Sequence, residues 1–287
     1  MRIGVLYESD EWSDYKLTAE LQRAFGSHAQ VQMVDMMRAD AIECALSCHL
    51  LVSRVFASAQ FRGHEEALRR MEELICRLEG TSTRLVNPPR AHAFEVDKRA
   101  SVQALAQANI RVPRTFASGT PASLRGTPFP KEAIIKPVCG GRTTLTTLAR
   151  TPEEADAFLA AAPDIPFVIQ EYLTPSCGFI TRIEVIAHAP AFAMKRSVVA
   201  NGLSAYHLGS TYERYPDCPP ELLRTAARAA EALGFFFGSF DVIERDDGAF
   251  FIDANSVSNV SEDCAETFGR DLLREYADAL ASACMNR

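Results

Sequence analysis

The sequence predicts an α/β fold: an N-terminal parallel-sheet domain followed by two regions where helices and antiparallel strands mix. Three observations carry this prediction. Over residues 1–95 short aliphatic runs alternate with amphipathic helical patterns, as in strands joined by covering helices. Breakers then divide the chain at Asn87-Pro88-Pro89 and at Val112-Pro113, where a helix cannot continue. In the last third, two apolar runs flank Arg245-Asp246-Asp247-Gly248, a hairpin signature. A length of 287 residues leaves room for about two domains with their own cores.

In chain order, Ile3 to Tyr7 reads as a strand. Leu17, Leu21 and Phe25 then share one face of a helix over Tyr15 to Phe25, being spaced by four. Val31 to Val34 and Leu50 to Phe56 are further strands. Glu65 to Leu78 is a charged helix with Leu68, Met71, Leu74, Ile75 and Leu78 as its apolar face. Asp97 stands where an N-cap would, before a helix ending near Asn109. A Gly/Pro-rich turn region at 118–130, the strand Ala133 to Pro137, and a Gly140-Gly141 turn into a Thr-rich strand follow. Next come a helix at Pro152 to Ala162 and a strand at Phe167 to Glu171. The remainder reads as strands at 180–187 and 191–199, a helix from Glu221 to Leu233, the hairpin, and a closing helix from Thr267 to Cys284.

Composition excludes several classes of function. The 30 Lys+Arg against 37 Asp+Glu give a net charge of −7, and no basic run supplies the footprint that a phosphate backbone needs. Nucleic acid and anionic membrane are therefore not expected partners. No apolar stretch approaches the roughly 18 residues that span a bilayer, and MRIGVLYESD turns acidic before a signal-peptide core forms. A cytoplasmic protein is expected. Its eight cysteines contain no C-x-x-C pair, so they read as reduced thiols rather than disulfides or zinc ligands. None of the six histidines has a catalytic spacing and there is no G-x-S-x-G, which disfavours Ser-His and Cys-His hydrolysis. Exposed apolar faces on the N-terminal helices would suit a homodimer or homotetramer.

The hairpin is the most informative local feature. A three-residue loop Asp246-Asp247-Gly248 pairs Arg245 with Ala249 and, counting back, Asp241 with Asp253; Asn255 then shares a face with Asp253. Like charges opposite one another destabilise a sheet unless a counter-ion neutralises them. Oxygen ligands alone favour Mg²⁺ or Mn²⁺ over zinc; the alternative is a solvated edge with both acids in water. Lys136 ends an apolar strand beside Cys139-Gly140-Gly141-Arg142, where it can meet phosphate oxygens or stand as an ordinary edge lysine. Arg182 and Glu184 share one strand face. Cys139, between Lys136 and Arg142, is either a thiol of lowered pKa or a small filler in a tight loop.

Taken in order, these pieces resemble the ATP-grasp carboxylate–amine ligases, most of all the ribosomal-protein glutamate ligase (RimK-like) branch. The resemblance runs from Val52-Ser53-Arg54 through Gly63-His64-Glu65, Asp97-Lys98, Val112-Pro113-Arg114-Thr115 and Ile135-Lys136-Pro137. It continues over Ile169 to Leu173, Met194-Lys195-Arg196, Phe240-Asp241-Val242 and Ile252-Asp253-Ala254-Asn255. It implies an α+β ATP-grasp fold: a pre-ATP-grasp domain over 1–95, a central lid subdomain over 96–170, and a C-terminal subdomain over 171–287, the last two sandwiching ATP. Lys98 and Lys136 are implied on the phosphates. Gln170, Glu171, Tyr172 and Leu173 fall at the adenine hinge, with Mg²⁺ on Asp241, Asp253 and Asn255. Arg182 and Arg196 fall at the phosphate and acyl end, with Arg54 on the N-domain wall facing it.

Three departures stand out. Ile180 occupies the position of the acid that usually holds ribose, so that contact is either missing or moved, with Glu184 as the candidate to take it. The second metal acid is Asp253 rather than the more frequent Glu. Ser204 and Tyr206 stand where the protein-glutamylating branch has Arg and Asn, so they are expected on the substrate side. The implied activity joins an amino-acid or peptide carboxylate, activated by ATP as an acyl phosphate, to an amine. The alternative is a nucleotide-binding regulatory protein or a kinase on the same fold.

Overall fold

The computed structural model of the chain describes residues 1–9, 11–129, 131–199, 202–204 and 208–285. At the N-terminus β1 (Arg2–Tyr7), α1 (Trp12–Phe25), β2 (Gln30–Asp35), α2 (Ala41–Leu46), β3 (Leu50–Ser53), α3 (Glu65–Leu78) and β4 (Arg84–Val86) follow one another. The four strands form a parallel sheet in the order β2-β1-β3-β4. Such sheets are covered on both faces, and alternation along β1 does this. Ile3 and Val5 meet Leu17, Leu21 and Phe25 of α1, whereas Leu6 joins Val34 and the buried faces of α2 and α3.

The next elements are α4 (Pro89–Val96), α5 (Lys98–Gln107), β5 (Thr115–Gly119), α6 (Pro121–Leu124), β6 (Ala133–Pro137), β7 (Thr147–Ala149), α7 (Pro152–Ala161) and β8 (Phe167–Glu171). Asp97 caps α5, its carboxylate accepting the N–H of Arg99 at 2.8 Å and of Ala100 at 3.3 Å. A second sheet, antiparallel and ordered β5-β8-β6-β7, packs on α6 and α7 through Leu124, Ile135, Leu159, Phe167 and Ile169.

The last elements are β9 (Phe179–Ile186), β10 (Ala189–Ser197), β11 (Tyr212–Arg214), α8 (Pro220–Leu233), β12 (Phe237–Arg245), β13 (Gly248–Asn255), α9 (Cys264–Phe268) and α10 (Leu272–Met285). A third antiparallel sheet runs β11-β10-β9-β12-β13. One face is closed by α4, α5 and α8, with Leu105, Ala226, Leu233, Phe240, Val242 and Phe251 in its core. The other face carries the charged side chains. The closing helix expected as one piece is two, because Gly269 takes a left-handed φ of 64° after α9.

Two devices fix the N-terminal sheet to the third sheet. Helix α10 lies on α1, and its Tyr276 stacks on Phe237 of β12 with ring centroids 4.2 Å apart. Asn87, which the sequence marks only as a breaker, donates to the carbonyls of Phe237 and Ser256 at 2.6 and 2.7 Å. Its own oxygen accepts the N–H of Phe236 and Phe237 at 2.7 and 3.0 Å. Burial of this amide is affordable because its polar atoms are paired.

The apolar faces of α1 and α3, expected to be free for a homodimer or homotetramer, are buried within the chain, against α10 and against the sheet. Trp12 and Tyr15 at the start of α1 remain exposed. Among the described residues no helix is long and apolar enough to cross a membrane.

His92 of α4 is buried, its Nε2 has no hydrogen-bond partner, and burial pushes its pKa down to about 4. The folded chain thus holds it neutral, while the unfolded chain protonates it near its ordinary value of about 6.5. The stability tied to the neutral ring is present above pH 6.5 and is lost as pH falls towards 4. Urea unfolding at pH 7 and pH 4.5 should show His92→Leu losing about 2–3 kcal/mol less than the parent between the two pH values.

Candidate active site

Strand alternation builds the site. On β9 the residues Ile180, Arg182, Glu184 and Ile186 turn to the face opposite α8, and on β10 Met194 and Arg196 do the same. Register places Asp241 of β12 and Met194 of β10 on either side of Arg182. The buried Asp241 carboxylate accepts Arg196 Nη2 at 2.9 Å and Arg182 Nη1 at 3.5 Å. Burial opposes its ionisation, yet the charges of Arg196 and Arg182 outweigh this and hold the carboxyl below the usual range. Arg182 Nε also binds Glu184 at 2.7 Å and its Nη2 binds Ser258 Oγ at 2.9 Å. Burial disfavours the guanidinium charge, but Glu184 and Asp241 more than compensate and raise its pKa.

The hairpin reaches the expected pairing by another route. Its turn is two residues long, with Arg245 opposite Gly248, and a β-bulge between Asp241 and Val242 restores the lost residue so that Asp241 stands opposite Asp253. The bulge also breaks strict alternation. Phe251 enters the helix-side core, whereas Asp253, two residues on, lines the cleft. Ile252, the extra residue, offers its carbonyl to Lys136 Nζ at 3.1 Å.

Lys136 comes from β6 of the second sheet, which faces this hairpin. Burial, with the neighbouring Lys98 charge adding to it, holds its ammonium below the usual lysine range against the pull of Asp253 and Asp241. Lys98 Nζ donates to the carbonyl of Gly140 at 2.5 Å. That glycine has a φ of 139°, and a Cβ there would lie 2.5 Å from Phe61 Cε2, so no larger residue fits. The loop it begins leans on the N-terminal domain through Arg142, paired with Glu11 at 2.5 Å, and through the Cys139 thiol, which donates to the carbonyl of Ala57 at 3.7 Å. Burial pushes that thiol up to about 11, which makes Cys139 the filler and not an activated nucleophile.

Between the second and third sheets lies a cavity of about 850 Å³. It is lined by Lys98, Lys136, Gln170, Glu171, Tyr172, Leu173, Arg182, Glu184, Arg196, Ser204, Asp241, Asp253 and Asn255. At the hinge, Gln170 donates to Thr115 Oγ1 at 3.1 Å, and the Tyr172 hydroxyl to the carbonyl of Gly202 at 3.3 Å. Below it, Leu173, Ile180 and Ile243 form an apolar floor. Among the described residues no cluster of three or more His, Cys, Asp or Glu could hold a metal. The set that sequence reading assembled is two carboxylates and an amide, oxygen ligands that fit a hard divalent ion.

Some expected placements change. Arg54 does not line the cavity. Its side chain is fully enclosed, bonding Asp14 at 3.1 Å, Ser13 Oγ at 2.7 Å and the carbonyl of Ser258 at 2.8 Å. Glu184 lies four residues from Ile180 on the far side of Arg182, about 13 Å along the strand, and its carboxylate is occupied by Arg182 and Ser258. It cannot take over a ribose contact at Ile180. Ser204 spends its hydroxyl inside the protein, accepting Arg196 Nε at 2.9 Å and donating to the carbonyl of Ser197 at 2.8 Å. It positions Arg196. Tyr206 lies outside the described residues. Sequence reasoning missed Ser258 and Glu95; the latter is buried and accepts the N–H of Ala57 at 3.2 Å and of Ser256 at 2.7 Å. No local pattern marks either, since their partners are distant in sequence.

A cleft between two antiparallel sheets, with lysines on one wall and an acid–acid–amide set on the other, defines a nucleotide-binding site of the ATP-grasp kind. Residues 95–280 match the RimK-like ATP-grasp domain, and the chain belongs to that family. A probable alpha-L-glutamate ligase of Picosynechococcus sp. is 27% identical over 240 residues, covering 80% of this chain and 75% of that one. Among solved structures, a RimK domain ATP-grasp protein from Sphaerobacter thermophilus superposes with a TM-score of 0.70 at 18% identity over 98% of this chain and 99% of its own. The ATP-grasp ligase PsnB, complexed with minimal precursor, Mg and ADP, gives a TM-score of 0.65 at 20% identity over 99% and 98%.

The Arg54–Asp14 pair makes a stability prediction. Arg54→Ala leaves Asp14 buried without its counter-charge and should cost about 3–5 kcal/mol. Replacing both with apolar residues of similar volume, as in Arg54→Met with Asp14→Leu, should recover most of that loss in urea unfolding.

Proposed function

We propose that the chain is an ADP-forming carboxylate–amine ligase that activates an amino-acid or peptide carboxylate with ATP. The carrying observation is the single cavity that joins hinge, lysines, arginines and the acid–acid–amide set. Membership of the RimK-like family, the likeness to a probable alpha-L-glutamate ligase, and a structural neighbour solved with Mg and ADP all support this reading.

Adenine sits over the apolar floor of Leu173, Ile180 and Ile243 and is read by the backbone at Gln170 to Leu173, with the second sheet above the nucleotide and the third sheet below. Lys98 and Lys136 hold the phosphates. Mg²⁺ fits the oxygen donors of Asp241, Asp253 and Asn255, as Mn²⁺ would, and when bound it supplies neutralising charge at the transferring phosphoryl group. Arg182 and Arg196 orient the acid substrate, whose carboxylate oxygen attacks the γ-phosphorus in line to give ADP and an acyl phosphate. An amine then attacks the carbonyl carbon. The two guanidinium groups stabilise the tetrahedral oxyanion as phosphate leaves. The loop from Cys139 to Thr146, resting on Glu11 and Phe61, keeps water from the acyl phosphate. Exposed free thiols at Cys44, Cys76 and Cys177 suit a reducing cytoplasm.

ADP release measured with a panel of amino acids as acid and amine separates the classes. Amine-dependent ADP formation is expected. A phosphorylated product without any amine requirement would identify a kinase, and nucleotide binding without turnover a regulatory protein. Asp253→Ala should lower turnover at least ~10²-fold, the scale on which loss of one charge-stabilising group acts; near-parental turnover would remove Asp253 from the metal set. Lys136→Ala should bind ATP at least ~10-fold more weakly by calorimetry, since a charge-assisted contact to phosphate is worth about 1.5–3 kcal/mol.

A further inference from the structure

We propose that the acid substrate of this ligase carries an uncharged, apolar side chain, held at the end of the cavity beyond Arg182. This deepens the ligase reading and rests on it. Alternation along β9 runs from Ile180 at the nucleotide end, through Arg182, to Glu184 and Ile186 at the N-domain end. The cavity continues past Arg182 in that second direction, where its wall is Met194, Val260, Cys264, Phe268 and Leu272.

That wall is fixed. Met194 stands directly across from Arg182 in the sheet register, and Phe268 packs on Phe192 with ring centroids 5.1 Å apart. Burial first, then the Glu184 charge, push the Cys264 thiol up to about 12, so it is neutral and beside that carboxylate. A substrate whose carboxylate meets Arg182 and Arg196 therefore points the rest of itself at an apolar surface.

Charge at this end excludes a second carboxylate. Among the described residues lining it, the charged groups besides Arg182 are Glu184 and the rim residue Asp263, both acids. Of the other cations of the cavity, Arg196 lies towards the nucleotide end, bonded to Asp241 and Ser204, and the rest are engaged at the loop side: Lys98 on Gly140, Lys136 on Ile252, and Arg142 on Glu11. Arg54, just behind Ser258, is sealed against Asp14. The side chain of glutamate would lose its hydration facing two acids, which is the repulsive element of specificity. Leucine or phenylalanine would gain by burial.

The test uses the full chain with ATP, Mg²⁺ and hydroxylamine as the amine, reading hydroxamate and ADP together. The acids are leucine, phenylalanine, glutamate and a leucine-terminated dipeptide. The inference expects kcat/KM for leucine or phenylalanine at least ten-fold above glutamate; the dipeptide shows whether the residue is free or at a chain end. Thr267→Lys, which adds a cation at the rim, should move the ratio at least five-fold towards glutamate. Equal or greater use of glutamate by the parent overturns the proposal while leaving the ligase reading standing. Should no acid give hydroxamate, the ligase reading fails. Calorimetry with a non-hydrolysable ATP analogue and Mg²⁺ then decides the chamber: at least ten-fold tighter leucine than glutamate sustains it, and no discrimination ends it.

Discussion

The Asp241 carboxylate, held between two guanidinium groups on an inner strand of a five-stranded sheet, is the interaction on which the site depends. A buried charge is tolerable only when paired and hydrogen-bonded, and each guanidinium that pairs with Asp241 needs partners for its remaining N–H groups. Arg182 finds them in Glu184 and Ser258, Arg196 in Ser204. Two acids and two bases thus form one neutral network whose members fix one another's rotamers. Asp253, directly across from Asp241, stands outside that network and faces the Lys136 ammonium instead.

The same network ties the N-terminal domain to the cleft. The loop after β13 is gripped from both sides: Glu95 and Asn87 hold Ser256, Arg54 takes the carbonyl of Ser258, and the Ser258 hydroxyl joins Arg182 to Glu184. Packing of α10 on α1 supplies the apolar counterpart. Movement of the N-terminal domain would therefore be felt at Arg182 through a single serine. Substrate pointing past Arg182 would lie against this joint.

Much of this was legible in the sequence, because periodicity reports burial directly. Helix α3 and strand β8 have the predicted bounds, and Asp97 caps as its position implies. The chemistry-bearing side chains of the cleft were legible too, since short strand motifs preserve which residues share a face. What the sequence hid was long-range pairing. Arg54, in an arginine-bearing motif, reads as a cleft residue until Asp14, 40 positions earlier, is seen to enclose it. Glu184 looks free for ribose until Ser258 is brought beside it. Asn87 passes for a turn former until its amide is found bonded to β12 and the loop after β13.

The hairpin shows the limit of counting. A two-residue turn without the bulge would set Asp241 against Ile252 and swing Asp253 to the helix side. In the structure the bulge lies between the tip and the cleft. One residue gained at the exposed turn and one lost at the bulge leave Asp241 opposite Asp253. The phenylalanines at 250 and 251 ease such an exchange, for adjacent rings present one to each face in either register. Turn length can therefore drift in descendants of this chain while Asp241 and Asp253 stay opposed. What selection has to hold is the sum of turn and bulge.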